Sequence, residues 1–122
     1  KYGWKVDAGG EKYIRESMPW FEKGIQLNPW NPFNYMNLGM CHHWLKDPEK
    51  ATDYFEKAIA LDPRGYHILA MYGWHKLQLG DLEGAQKYLK DSVTFAWNIE
   101  NRDAKVLLEV VERRLAEKAA SR

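Results

Sequence analysis

The sequence predicts an all-α fold: helical hairpins repeated along the chain as an α-α superhelix, closed by a C-terminal capping helix. Two observations predict it. Shifting the chain by 34 residues places Leu27-Asn28-Pro29 on Leu61-Asp62-Pro63, Gly39 on Gly73, Leu45 on Leu79, Asp47 on Asp81, Ala51 on Ala85 and Tyr54 on Tyr88. Phe21, Phe55 and Leu89 form one column of this register, Ile25, Ile59 and Val93 another, and Gly24, Ala58 and Ser92 a third. Within each period, apolar residues recur at three- and four-residue spacing, which marks one buried face of a helix. A fixed period of this kind marks stacked two-helix units, because no single unit buries its apolar face alone.

The elements follow in order. Gly9-Gly10 argues against a continuous helix at the N-terminus. A short helix over 11–17 is expected to run into a second one from Ser17 to Asn28. Pro19 either follows a Ser17 cap inside the first turn or kinks a longer helix that begins near Glu11. Asn28-Pro29 closes that helix, and Asn31-Pro32 opens the next as a cap followed by a first-turn proline. Tyr35, Leu38, Gly39, His42 and Leu45 mark one face of a helix from Pro32 to Leu45. Asp47-Pro48-Glu49 then reads as a cap, a proline at the first helical position and an acid favoured by the helix dipole. Ala51, Tyr54, Phe55, Ala58, Ile59 and Leu61 carry the apolar face of this next helix, which Asp62-Pro63 ends. The plan repeats with a helix from Tyr66 to Leu79, a stop at Gly80, a cap at Asp81 and a helix from Leu82 to Phe95.

Small residues have a packing reason. Gly39 with Ala51, and Gly73 with Ala85, are expected where the two helices of one unit cross, and Ala58 and Ser92 where one unit meets the next. Ala104, Leu107, Leu108, Val111 and Leu115 form the apolar stripe of a last helix, with Glu109, Arg113 and Glu117 on its polar side. A terminal helix with a polar outer face is what a repeat array needs at its end. The chain is thus read as a single domain over 1–122: a partial first repeat at 1–29, a second at 30–63, a third at 64–97 and a capping helix at 98–122.

Composition excludes several classes. Eighteen basic and 17 acidic residues leave a net charge of +1, so no global field favours nucleic acid or anionic lipid. The single cysteine, Cys41, excludes an intramolecular disulfide framework and a cysteine-rich zinc site. No apolar run approaches the roughly 18–20 residues that span a bilayer. The chain starts at Lys1 rather than Met, which suggests a piece of a longer protein whose other part carries any targeting or membrane segment. Six Trp, seven Tyr and four Phe are many for this length and must be buried or used.

No catalytic constellation emerges. GxSxG and GxxxxGK[ST] are absent, and adjacent Cys41 and His42 point about 100° apart on a helix, which excludes a dyad. Cys41 reads as a small apolar filler and His42 as a hydrogen-bonded interior histidine. His67, Met71 and His75 share a helix face at i, i+4 and i+8, but no carboxylate stands at a supporting spacing. No metal, cofactor or catalytic residue is therefore expected.

Tyr35-x-x-Leu38-Gly39, Ala51, Phe55, Ala58 and Pro63 within one period resemble the tetratricopeptide repeat (TPR), a protein-interaction module. Leu69, Tyr72, Gly73, Ala85, Leu89 and Ser92 fit the next period, although Trp97 stands where its closing Pro would be. The resemblance implies that the first helix of each unit lines a concave groove for a peptide or partner segment. Carried over, the lining is Phe33, Met36, Asn37, Met40 and His43, with Trp44 beside them, then His67, Ala70, Met71, Trp74 and Leu77, with Gln78 beside them. Such a surface suits an apolar or amphipathic segment, with Trp74 as anchor. The same side chains could instead pack between units, Trp44 and Met71 more than Phe33 and Trp74. The carboxylate clamp known in this family needs Lys or Arg where this chain has His67 and Met71, so that mode is rejected. "LNPWNPFNYMNLGMCHHWL" and "YGWHKLQLGDLEGAQKYL" also resemble the TPR tails of bacterial O-antigen ligase/polymerase-type membrane proteins, which implies a membrane link only through an absent part of the chain. Lys1-Tyr2-Gly3-Trp4-Lys5 would suit a juxtamembrane position. The competing expectation is a self-association or spacer domain, a homo-oligomer whose groove is filled by a second copy or by its own aromatic N-terminal segment.

Overall fold

The computed structural model describes residues 7–121. Among them are six helices and no strand: α1 (Ala8–Leu27), α2 (Pro32–Trp44), α3 (Pro48–Leu61), α4 (Tyr66–Gln78), α5 (Leu82–Phe95) and α6 (Arg102–Ala120). The Lys1 to Lys5 start, and with it the idea of a groove-filling N-terminal segment, lies outside the described residues. The chain divides into two compact units, Lys1–Pro63 and Arg64–Arg122.

In the first unit, α1 packs on α2 and α2 on α3. The one departure from the expected elements is α1, a single helix of 20 residues rather than a short helix joined to another. Two features let it run. Gly9 and Gly10 fall in the first turn, where the Gly10 N–H has no helical acceptor and donates instead to the Asp7 carboxylate at 2.7 Å. Pro19 lies inside the helix, on an exposed position, so the carbonyl it leaves unmatched four residues earlier can face solvent. Nearby, the Ser17 hydroxyl donates to the Tyr13 carbonyl at 2.8 Å rather than capping a new helix. Further along, a Cβ on Gly24 would stand 2.6 Å from the Asn34 side chain, so α1 and α2 approach closely there.

The α2–α3 hairpin closes over Gly39, where an added Cβ would lie 2.9 Å from Phe55 and 3.2 Å from the Ala51 carbonyl. Ala51 and Phe55 at this crossing are fully buried, as are Leu38 and Ala58 elsewhere on the two helices. In the second unit the same construction recurs, with Gly73 admitting Leu89 and with Ile68, Leu69, Tyr72, Ala85 and Leu89 buried. Ser92 is expected at a unit junction, and it is buried: its hydroxyl donates to the Tyr66 carbonyl at 2.6 Å and accepts from the Asn101 amide at 2.9 Å. The Asn101 contact ties the end of α5 to the segment that starts α6. The last helix packs on α5 and α4, with Ala104 and Val111 fully buried and Leu107, Leu108 and Leu115 half-buried.

Helix ends follow the chemistry of their sequences. Asn31 accepts from the Phe33 N–H at 2.9 Å, Asp47 from Lys50 at 3.3 Å and Asp81 from Gly84 at 2.9 Å. Both hairpin turns are Schellman motifs. The Asp47 and Lys46 N–H groups donate to the His42 and His43 carbonyls at 2.9 and 3.1 Å, and those of Asp81 and Gly80 to Lys76 and Leu77 at 3.0 Å each. The left-handed residue is Gly80 in the second turn, at φ 83°, but Lys46 in the first, at φ 63°.

Candidate functional site

The residues proposed from sequence stand on α2 in the first unit and α4 in the second. On α2 the Asn31 cap sets Phe33 in the first turn, 45% exposed. Asn37, Met40 and His43 are half-buried, and Met36 is buried at 6%. The His43 ring meets Trp44 edge-on, with centroids 5.6 Å apart. Burial pushes the His43 imidazole below its ordinary pKa. His42 is half-buried rather than interior and stacks on Tyr54 at 5.4 Å; burial lowers its pKa too, with Asp47 pulling the other way. Cys41 is 7% exposed and its thiol is pushed up to about 11 by burial, consistent with an apolar filler rather than a nucleophile.

On α4, His67 is exposed in the first turn, and Met71 and Trp74 are half-buried. Ala70 is not on an open face, nor is Leu77: both belong to the core cluster completed by Ala104 and Val111 of α6. The terminal helix takes the ground that an open lining would need. His75 is fully buried and lies near-parallel to Tyr72 at 6.1 Å. The His67 and His75 spacing on one helix therefore joins an exposed imidazole to a core one, and among the described residues no group of three His, Cys, Asp or Glu could hold a metal ion.

The electrostatics of the two faces are simple. α2 has no Lys, Arg, Asp or Glu, and α4 has only Lys76. That ammonium sits 3.6 Å from Asp81 and 5.2 Å from the centre of the Tyr72 ring. Sequence reasoning passed over Trp20 and Trp30, 77% and 76% exposed, and read Trp97, 84% exposed, only as the residue in place of a closing Pro. For Trp20 the signal was present, since it shares a register column with Tyr54 and Tyr88.

A family model for the tetratricopeptide repeat matches residues 34–64. No curated protein matches. Among solved structures, the Sgt2 TPR domain from Aspergillus fumigatus superposes with a TM-score of 0.81 at 20% identity, over 93% of this chain and 75% of that one. The first TPR of Spaghetti (RPAP3), bound to HSP90 peptide SRMEEVD, superposes with a TM-score of 0.76 at 24% identity, over 87% of this chain and 82% of that one. At these identities the structural likeness concerns the fold, and the sequence match supplies the repeat. Residues 34–64 thus match the tetratricopeptide repeat, and the chain has the all-α helical-repeat fold seen in TPR domains.

Proposed function

We propose that this chain is a protein-interaction module whose first helices hold an apolar or amphipathic peptide segment. Phe33, Met36, Asn37, Met40 and His43 would serve on α2, and His67, Ala70, Met71 and Trp74 on α4. Met36 and Ala70 would act as the packed floor beneath the more accessible side chains. One observation carries the reading: α2, in the first unit, has no charged side chain and keeps Phe33 45% exposed, and α4, in the second, has only Lys76. A helix face so poor in charge rewards burial of apolar side chains and offers little to a peptide carboxylate. The RPAP3 structure holds an acidic peptide, but the chemistry of α2 and α4 favours a different ligand class. The likeness to O-antigen ligase/polymerase tails has no support in the comparisons, and the proposal draws nothing from it.

Fluorescence anisotropy with labelled peptides tests this. Peptides carrying Leu and aromatic residues at helical spacing should bind, Phe33→Ala and Trp74→Ala should each weaken them, and SRMEEVD should not compete. Tight binding of SRMEEVD, or capture indifferent to both substitutions, would overturn the reading. Sedimentation at several concentrations checks the competing self-association, which predicts a tight dimer.

A further inference from the structure

Within the first unit α1 and α3 each pack on α2 and not on each other, which leaves a groove between them of about 410 Å³. Glu22 of α1 stands on one wall, and Lys50, Asp53 and Lys57 on the other, at spacings that share one face of α3. The floor is ring-built: His42 and Tyr54 are half-buried and stacked, with centroids 5.4 Å apart and 5° between their planes. Among the described residues Glu22, Lys50 and Asp53 have no ion-pair partner. The Lys57 ammonium lies 5.2 Å from the centre of the Tyr54 ring. The second unit closes off the same positions. In the repeat register His42, Asp53, Tyr54 and Lys57 become Lys76, Lys87, Tyr88 and Asp91. There Lys76 pairs with Asp81 at 3.6 Å, and Lys87 with Asp91 at 3.3 Å while standing 4.6 Å from the Tyr88 ring centre. Two cations built into the second unit are thus exchanged in the first for an imidazole and a carboxylate. Burial holds the His42 imidazole below its ordinary pKa, so it does not replace the lost charge at pH 7.

We infer that this groove binds an arginine of a partner protein, presented on a segment whose flanking residues are acidic. The guanidinium enters between Glu22 and Asp53 above the His42 and Tyr54 rings, because a planar, weakly hydrated cation both stacks on rings and forks onto carboxylates. The flanking acids meet Lys50 and Lys57. Charge complementarity decides the class. A wholly acidic segment is repelled by Glu22 and Asp53, and a polybasic one by Lys50 and Lys57, whereas an arginine between acids complements all four. Lysine in the arginine's place has neither the fork nor the plane. The charged walls are exposed, so each pair contributes little and the association is weak and salt-sensitive. None of these residues belongs to the peptide face proposed on α2 and α4, so this is a second, separate site.

The test titrates the nitrogen-labelled chain with the peptide AEAARAAEA and follows amide shifts by NMR. Saturable shifts are expected at Glu22, His42 and Tyr54, and the His42 imidazole pKa should fall on binding, since a nearby cation disfavours its protonated form. Glu22→Gln and Asp53→Asn should each weaken binding about two- to fivefold. Asp53→Lys combined with Lys57→Asp, which copies the second unit, should remove it. Phe33→Ala should leave it unchanged, which keeps this result independent of the peptide face. The substituted walls are exposed, so circular dichroism and melting curves should stay intact and separate lost binding from lost folding. Absence of shifts, equal binding of a peptide with alanine for the arginine, or indifference to both carboxylate substitutions would overturn the inference. Inorganic phosphate that moves the same amides and competes with the peptide would also overturn it, by making the groove an anion site.

Discussion

Placing a methyl group at Gly73 sets two known effects against each other. Gly73 lies mid-helix, where Ala is favoured by about 1 kcal/mol through backbone entropy and propensity. The new Cβ, however, would stand 2.6 Å from Leu89 Cγ and 2.9 Å from its Cδ2, with the Leu89 backbone nitrogen at 3.4 Å. Leu89 is fully buried, and the close atom is its branch point rather than a mobile tip, so the strain falls on α5 itself. Overpacking of this kind costs about 1–3 kcal/mol, which cancels or exceeds the helix gain. Gly73→Ala should therefore lower stability by roughly 0–2 kcal/mol in urea unfolding. Leu89→Ala alone should cost about 2–5 kcal/mol. In the Leu89→Ala background the same methyl meets a cavity, and Gly73→Ala should then stabilise by up to about 1 kcal/mol. The change of sign between backgrounds is the measurement, read as a double-mutant coupling of about 1–3 kcal/mol. If Gly73→Ala stabilises equally in both backgrounds, the crossing is loose and the steric account of the glycine column fails.

Three further outcomes are expected. Ser92→Ala removes the donor to the Tyr66 carbonyl and the acceptor for Asn101 inside a buried site, and should cost about 1–3 kcal/mol by chemical denaturation, whereas Thr94→Ala on the exposed side of α5 should be near neutral. His42 and His43 have lowered folded-state pKa values, so the unfolded chain binds more protons just below the ordinary imidazole pKa; stability should be full above that value and fall as pH drops, and His43→Gln should flatten the slope of melting temperature against pH. With its pKa near 11, Cys41 should be about one part in a thousand thiolate at pH 8 and react with a thiol-specific disulfide reagent far more slowly in the native state than in denaturant.

How much was legible depended on whether neighbouring residues or distant ones decide a position. Caps at Asn31, Asp47 and Asp81, the stop at Gly80 and the close approaches at Gly39 and Gly73 are local or pairwise within one period, and the residue types announce them. α1 was misread because Gly9-Gly10 and Pro19 are unfavourable only inside a helix whose amides all need acceptors; at the first turn and on an exposed side that requirement lapses. The faces of α4 were hard for another reason. Apolar residues lie almost all round it, so periodicity alone could not separate Ala70 and Leu77, which α6 covers, from His67 and Trp74, or announce His75 as core. Burial there is set by Ala104 and Val111, some thirty-four residues downstream, and no local pattern encodes it.

The two hairpin turns share their Schellman hydrogen bonds yet differ in the residue at the left-handed position, and that difference bears on how the chain opens. A lysine held in the left-handed region carries roughly 1 kcal/mol of strain that a glycine there avoids. That strain raises the energy of the α2–α3 turn relative to the α4–α5 turn. Native-state amide exchange should find the amides around Lys46 released by smaller fluctuations than those around Gly80, and a Lys46→Gly chain should erase much of the gap.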